Sequence, residues 1–284
     1  MSSFADSRVW FITGTSSGMG NAILRAVLSA NERVVATLRT PSALADLQSE
    51  YPPEQLLVLP LDVTETEQVT AAFKKTEEHF HRLDVVVNNA GYILSGEIEA
   101  TPYEEGRKIV DALFWGAVYV TKEAAWFFRE VNPAGHGGRV LNISSIGGYT
   151  GIPTFGYYNA GKFALEGFTD SFTREMPPEW NIKGIIVQLG GFETGWRGAR
   201  VQLPPHPAYP ENSPAAALRE QWLGTQKTGD VHKAAAAILR IAGEKAPPLR
   251  VQLGSDALEA VVEQAKTTIR DAEAHAGLAR STDL

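Results

Sequence analysis

Val9-Trp10-Phe11-Ile12-Thr13-Gly14-Thr15-Ser16-Ser17-Gly18-Met19-Gly20 is an apolar run that breaks into a glycine-spaced turn, and its reading decides the fold. Val9 to Thr13 shows no alternation of polar and apolar residues, the pattern of a strand buried on both faces of a parallel sheet. Directly after the turn, Ile23, Leu24, Val27 and Leu28 recur at helical spacing. Asn31, which tolerates the left-handed conformation, is placed to end that helix. Glycines let the backbone turn tightly and approach a ligand closely. The free N–H groups of the following helix then face an anion. Strand, glycine turn and helix in this order predict a phosphate cradle.

The same alternation continues outward from this unit. Arg33 to Arg39 predicts a second strand and Pro41 to Glu50 a short helix. Leu56 to Leu61 predicts a third strand, closed by Asp62, which is placed to accept a bond from an adenine amino group. Thr64 and Glu67 stand at capping-box spacing and predict a helix start. Leu83 to Gly91 is a fourth strand with a polar turn, followed by a long helical region from about Tyr103 to Arg129. Gly138 to Ser144, Ile182 to Leu189 and Leu249 to Leu253 predict three more strands. Helices follow Ser145 and span Asp230 to Gly243 and about Asp256 to His275. This repetition predicts an α/β, doubly wound, mostly parallel seven-stranded sheet with helices on both faces, of Rossmann type. No linker or repeat divides the chain, so residues 1–284 are expected to form one domain. Its one irregular stretch, about 190–229, is rich in Pro and aromatic residues and predicts a lid-like insertion.

Composition excludes several classes of function. With 284 residues, 44% hydrophobic and 21% charged, the chain has ample material for a core. A net charge of −7 offers no basic footprint, so nucleic acid is not an expected partner. The absence of cysteine removes disulfides and thiolate chemistry and suits a reducing compartment. Met1 to Asp6 lacks a basic region followed by an apolar run, so no signal peptide is expected. No apolar run approaches the ~20 residues of a membrane span. A cytoplasmic protein is the expectation. The six histidines are scattered without ligand spacing, so no metal site is expected.

The chemistry points to Tyr158 and Lys162. On a helix, a four-residue gap puts both side chains on one face. An ammonium beside a phenol favours the phenolate and lowers its pKa. Such a pair can hand a proton to a carbonyl oxygen or take one from an alcohol. At the end of the second strand the chain has Leu38 and Arg39 where a site for NAD has a carboxylate, with no acid until Asp46. A guanidinium there suits a 2′-phosphate, so NADP is the expected cofactor.

These marks, taken together, resemble the short-chain dehydrogenase/reductase family over nearly the whole chain. They are Thr13-Gly14-x-x-x-Gly18-x-Gly20, Asp62, Asn88-Asn89-Ala90-Gly91, Ser145 and Tyr158-x-x-x-Lys162. Ala36-Thr37-Leu38-Arg39 and Leu253-Gly254-Ser255-Asp256-Ala257 resemble the NADP-preferring, hydroxysteroid-dehydrogenase-like branch. The resemblance implies that Ser145 holds the substrate oxygen, Tyr158 transfers the proton, and Lys162 lowers the Tyr158 pKa and bonds the nicotinamide ribose. It implies cofactor contacts from Gly14, Thr15, Ser17, Gly18, Met19, Gly20, Arg39, Asp62, Val63, Asn89, Ala90 and Gly91. Phe192 and Thr194 are implied at the carboxamide. It also implies a homodimer or homotetramer, with the helix around Ile109 to Phe128 and the Tyr158 helix pairing across a twofold axis.

Two departures from the family stand out. Leu113 occupies the place of an Asn that helps hold a proton-relaying water, and Asp111 lies on another helical face. Leu189 stands where relatives usually have Pro before Gly190. The expected activity is hydride transfer between NADP and a carbonyl/alcohol pair on an apolar substrate. Leu94, Ser95, Tyr149, Ile152, Phe155 and Phe192 would edge the pocket, with Trp196, Tyr209 and Trp222 in the lid. Leu113 leaves two alternatives open: an NADP(H)-binding sensor or scaffold with little turnover, and a non-redox isomerase or cyclase using the same acid/base pair.

Overall fold

The structure of the protein is a computed structural model that describes residues 6–192, 194, 200–223 and 229–284, with 220–223 described by backbone alone. The first half alternates strand and helix: β1 (Val9–Thr13), α1 (Gly18–Ser29), β2 (Arg33–Leu38), α2 (Ala45–Glu50), β3 (Leu56–Pro60), α3 (Thr66–Phe80) and β4 (Val85–Asn88). A two-residue strand β5 (Leu94–Ser95) precedes α4 (Tyr103–Val110), a π turn (Asp111–Trp115) and α5 (Gly116–Glu130). The second half contains β6 (Gly138–Ser145), α6 (Gly156–Glu175), β7 (Ile182–Leu189), β8 (Val201–Gln202) and α7 (Pro214–Leu223). It closes with α8 (Val231–Ala242), β9 (Arg250–Leu253), α9 (Ser255–Ala274) and α10 (Ala276–Arg280).

Seven strands form one parallel sheet in the order β3-β2-β1-β4-β6-β7-β9. All seven predicted strands are present in it. The cause is visible in β1, where every residue is buried. Successive side chains point to opposite faces. Trp10 and Ile12 join the core made with Ile23, Leu24 and Val27 of α1 and Ile238 of α8. Val9 and Phe11 join the opposite core with Phe73 of α3 and Phe127 of α5. Phe11 and Phe73 stack with ring centres 4.6 Å apart. An unbroken apolar strand therefore needs helices on both sides, and the alternating chain supplies them.

Strand order reverses between β1, whose outward neighbour is β2, and β4, which leads to β6. In open α/β sheets the crevice beyond the carboxyl ends at such a switch is where ligands bind. Because all seven strands are parallel, Thr13, Leu38, Asn88, Ser145 and Leu189 end at this one edge.

Three local details differ from the sequence expectation. The Thr64–Glu67 capping box does not form: Glu65 precedes α3, without a capping side-chain bond. The backbone N–H and hydroxyl of Thr64 instead both donate to Asp62 Oδ1, at 3.0 and 2.8 Å. The aspartate competes for the same donors because it lies two residues away. The long helical region is interrupted by the π turn, which inserts extra backbone at Leu113. Finally, β5 and β8 pair in parallel through Leu94–Val201 and Ser95–Gln202. Strands of two residues carry no readable alternation.

Candidate active site

The glycine turn is held open by its neighbours. Gly14 and Gly18 have φ of +70° and +60°, which favours glycine at both. A methyl group on Gly14 would stand 2.8 Å from Ala90 Cα, and one on Gly18 would stand 3.3 Å from Thr194 O. The turn thus lies against the Asn89-Ala90-Gly91 segment on one side and the loop after β7 on the other. Thr13 Oγ1 accepts the backbone N–H groups of Asn89 and Ala90, both at 3.0 Å. Asn89 Nδ2 donates back to Thr13 O and Gly14 O at 3.0 and 3.1 Å. Thr15 donates by N–H and hydroxyl to Thr37 O, tying the turn to β2. Helix α1 begins after Ser17 with no side-chain cap and no acidic residue in its first turn. Its leading N–H groups fit an anionic pyrophosphate.

The other expected cofactor residues share this edge. Arg39 is exposed immediately after β2. Asp62 follows β3, whose continuation is bonded to β2 through Leu61 N–H and Leu38 O at 2.9 Å. Val63 is buried against Gly116 at the start of α5. Phe192 is buried and bridges to Gly229. Gly229 N–H donates to Gly191 O at 2.7 Å, so the two ends of the 190–229 insertion meet at its base. Asp256 Oδ2 accepts Gly191 N–H at 2.7 Å and fixes the loop that follows Leu189.

Ser145, Tyr158 and Lys162 converge at the end of β6. The Ser145 hydroxyl lies beside the Tyr158 phenol and acts to lower its pKa. Its Oγ also accepts Gly147 N–H at 3.2 Å. Lys162 is buried, and Nζ donates to Ile143 O at 2.7 Å. The nitrogen lies 5.8 Å from the centre of the Tyr158 ring. Here the expectation of a lowered Tyr158 pKa is corrected. Burial pushes the phenol above its ordinary value, with Ser145 opposing. The Lys162 ammonium is directed at a backbone carbonyl, while desolvation pulls Lys162 itself down to about 8. A phenol raised in this way stays protonated at neutral pH and suits proton donation to a carbonyl.

Leu113 sits within this arrangement. It is buried in a small cluster with Leu94 and Ile109, packed against Tyr92 and Tyr158. A methyl group on Gly161 would lie 3.1 Å from Leu113 Cβ. Asp111 is exposed. The π turn therefore presents an apolar side chain to the catalytic helix.

Gly147 packs closely beside the same residues. A methyl group there would stand 2.7 Å from Asn159 Oδ1 and 3.1 Å from Tyr158 Cε1. Gly147→Ala is expected to displace Tyr158 and lower kcat by roughly 10- to 100-fold, as misplacement of a reacting group does. NADPH affinity, measured by fluorescence titration, should stay near the parent value. An unchanged kcat would mean that Tyr158 tolerates the shift.

On the pocket side, Leu94, Ser95 and Phe155 are buried, and Tyr149 and Ile152 are partly exposed. The Phe155 ring meets Tyr158 edge-on at 6.1 Å. Tyr209 is engaged elsewhere: its ring packs edge-on against His206, and the Glu99 carboxylate near its phenol raises its pKa. Trp196 and the side chain of Trp222 lie outside the described residues. A buried ion pair unforeseen from sequence anchors the insertion. Arg219 of α7 meets Glu97 at 2.5 Å and also donates to Leu203 O. Ahead of Glu97, Gly96 N–H donates to Thr154 O, two residues before α6.

Burial pushes the Glu97 carboxyl up, but the bonds from Arg219 and from backbone N–H groups outweigh it and hold it below the ordinary value. A depressed folded pKa stabilises above the unfolded value and is lost as pH falls through the folded one. Arg219→Leu, which strands the carboxylate, is expected to cost about 3–5 kcal/mol at neutral pH. The difference in Tm between parent and variant should be full at pH 7 and shrink below about pH 4. Equal Tm values at pH 7 would contradict this role.

Comparison with known proteins decides the family. The profile described as short chain dehydrogenase matches residues 8–202. The chain belongs to the short chain dehydrogenase family. An uncharacterized oxidoreductase of Schizosaccharomyces pombe is 39% identical over 271 residues, covering 95% of this chain and 90% of that protein. A 3-ketodihydrosphingosine reductase of Bacteroides thetaiotaomicron is 31% identical over 250 residues, covering 87% and 88%. The crystal structure of a short-chain dehydrogenase from Streptomyces avermitilis superposes with a TM-score of 0.89 at 32% identity, covering 100% of both chains. This short chain dehydrogenase is thus an oxidoreductase by family. Among the described residues it has no group of three His, Asp or Glu placed to hold a metal, and no helix long and apolar enough to cross a membrane.

Proposed function

We propose that this chain is an NADP-dependent oxidoreductase that moves a hydride between the nicotinamide and a carbonyl/alcohol pair on an apolar substrate. The observation that carries this reading is the convergence of Ser145, Tyr158 and Lys162 beside the glycine turn at the sheet's switch point. NADP would supply or accept the hydride when bound. Gly14, Thr15, Ser17, Gly18, Met19 and Gly20 cradle its pyrophosphate, and Arg39 takes the 2′-phosphate. Asp62, Val63, Asn89, Ala90 and Gly91 border the adenosine half, and Phe192 and Thr194 the carboxamide. Ser145 donates to the substrate oxygen, Tyr158 gives it a proton, and Lys162 orients the nicotinamide ribose. A phenol protonated at neutral pH is ready to donate to a carbonyl oxygen during reduction.

An apolar carbonyl compound is the proposed substrate class. Buried Leu94 and Phe155 beside Tyr158 support it, as does the relative named as a 3-ketodihydrosphingosine reductase. NADPH consumption with ketones, aldehydes and quinones of increasing apolar size tests it: kcat/KM should rise with apolar surface. A preference for small polar carbonyls would sink the substrate class.

Leu113 keeps a second reading in play, in which the chain binds NADP(H) with little turnover or uses Tyr158 for isomerisation. A proton relay needs a polar partner, and the π turn offers an apolar one. Firm NADPH binding with no consumption of any carbonyl would favour this second reading.

Residues 1–284 are proposed to act as one domain, in the cytoplasm, as a homodimer or homotetramer. Exposed Trp115, Trp126 and Phe163 on the π turn, α5 and α6 support an interface there. Light scattering should give a multiple of the 30.8 kDa chain mass. The mass of one chain would rule the oligomer out.

A further inference from the structure

Helix α9 has two apolar faces, and the body of the protein covers one of them. Ala257 is buried, Val261 and Gln264 are half-buried, and Thr150 Oγ1 donates to Gln264 Oε1 at 2.9 Å. These three residues recur at helical spacing and seat the helix on the segment that follows β6. Leu258, Val262 and Ile269 lie roughly a third of a turn further round the axis. They are exposed, at 53%, 42% and 57%. Ala265 and Ala272 complete their row. Steps of four and three residues alternate along it, the repeat of a seam that packs against another helix. An exposed apolar row of this kind marks an interaction surface.

The charges beside the row identify what fits it. When α9 is paired with itself, antiparallel about a twofold axis, one register sets Val262 against the partner's Ala265 and Leu258 against the partner's Ile269. In that register Glu259 flanks the seam about 3 Å in height from the partner's Lys266, and Lys266 meets the partner's Glu259 in the same way. Among the described residues neither Glu259 nor Lys266 is in an ion pair. Glu263, on the outer side, is met by Arg270 at 3.6 Å. The charges left free are the ones the antiparallel pairing uses. A parallel pairing would set Lys266 beside the partner's Val261 and give Glu259 no opposite charge. The helix carries five acids against two bases. Helices that lie on membranes are rich in Lys and Arg, so a lipid surface fits this one poorly.

We propose that α9 is a self-association surface: two copies of this chain pair antiparallel along the row from Leu258 to Ile269, with Glu259 of each copy meeting the partner's Lys266. This twofold contact is separate from the α5–α6 interface proposed above and does not depend on it. Where both twofolds form, the closed assembly is a tetramer.

The test uses the absence of cysteine from the chain. Full-length protein carrying both Leu258→Cys and Ile269→Cys is oxidised, and joined chains are read on a non-reducing gel. The two thiols of one chain are about 16 Å apart and cannot close on each other, whereas each faces a thiol of the partner, so most chains should be joined in pairs. Either substitution alone leaves like thiols about 16 Å apart across the twofold and should give no joining. In the double variant, Glu259→Lys should slow joining by roughly 3- to 10-fold, and adding Lys266→Glu should restore it. No joining in the double variant, equal joining in the single variants, or no rescue by the second charge reversal would each overturn the proposal. So would flotation of the parent with phosphatidylcholine vesicles that Val262→Glu abolishes, which would assign the row to lipid. Should the double variant not fold, light scattering on the cysteine-free chain decides: Glu259→Lys should lower the mass and Lys266→Glu restore it, and an unchanged mass overturns the pairing. A chain that assembles through α5 and α6 alone leaves the double variant unjoined, so the two interfaces are judged apart.

Discussion

Tyr158→Phe is expected to lower carbonyl reduction by about 100- to 10,000-fold, the range that a positioned general acid contributes. NADPH should bind the variant as it binds the parent. The argument is geometric. Ser145 lies beside the phenol, Phe155 and Leu113 pack around the ring, and Lys162 lies one helical turn away. Phenylalanine keeps the ring and its packing and removes only the proton donor. Because burial raises the phenol's pKa, reduction should hold steady across neutral pH and fail only when Tyr158 or Lys162 loses its proton. Lys162 is the lower of the two, at about 8, so the alkaline fall should begin there. Pre-steady-state mixing of enzyme, NADPH and carbonyl separates chemistry from product release. A variant that turned over at the parent's rate would show that another group delivers the proton.

Arg39→Leu is expected to weaken NADPH binding by about 10- to 100-fold, the loss of roughly one charge-assisted hydrogen bond at an exposed site. NADH binding should change little. Arg39 follows β2 at the sheet edge, Leu38 beside it is buried, and Asp62 is held by Thr64 at the end of β3. Among the described residues no carboxylate is bonded to Arg39, which is what the proposed pairing with a 2′-phosphate requires. Isothermal titration of both dinucleotides against parent and variant measures the change. Equal losses for NADPH and NADH would assign Arg39 to general binding, and no loss for either would remove it from the site.

Much of the sheet was legible because buried parallel strands write themselves as unbroken apolar runs. Val9 to Thr13 and Ile185 to Val187 have no other reading once helices alternate with them. The glycine turn was legible because only glycine adopts the conformations of Gly14 and Gly18 at no cost. Leu113 was legible as an anomaly, but its surroundings were not, since the π turn depends on packing against Gly91 and Gly161. The direction of the Tyr158 shift was also hidden. Spacing alone puts lysine and tyrosine on one face, yet Ile143 O competes for the ammonium. The Glu97–Arg219 pair joins residues too distant in sequence for any local pattern to connect them.

The most direct test of the central claim is a single-turnover reaction with NADPH carrying deuterium at both C4 positions of the nicotinamide, offered with an apolar ketone that the parent consumes. The account predicts deuterium on the carbinol carbon of the product, and none in the Tyr158→Phe variant on the same time scale. NADPH that binds firmly to the parent, and across the whole carbonyl panel never passes its deuterium to a substrate carbon, would contradict it.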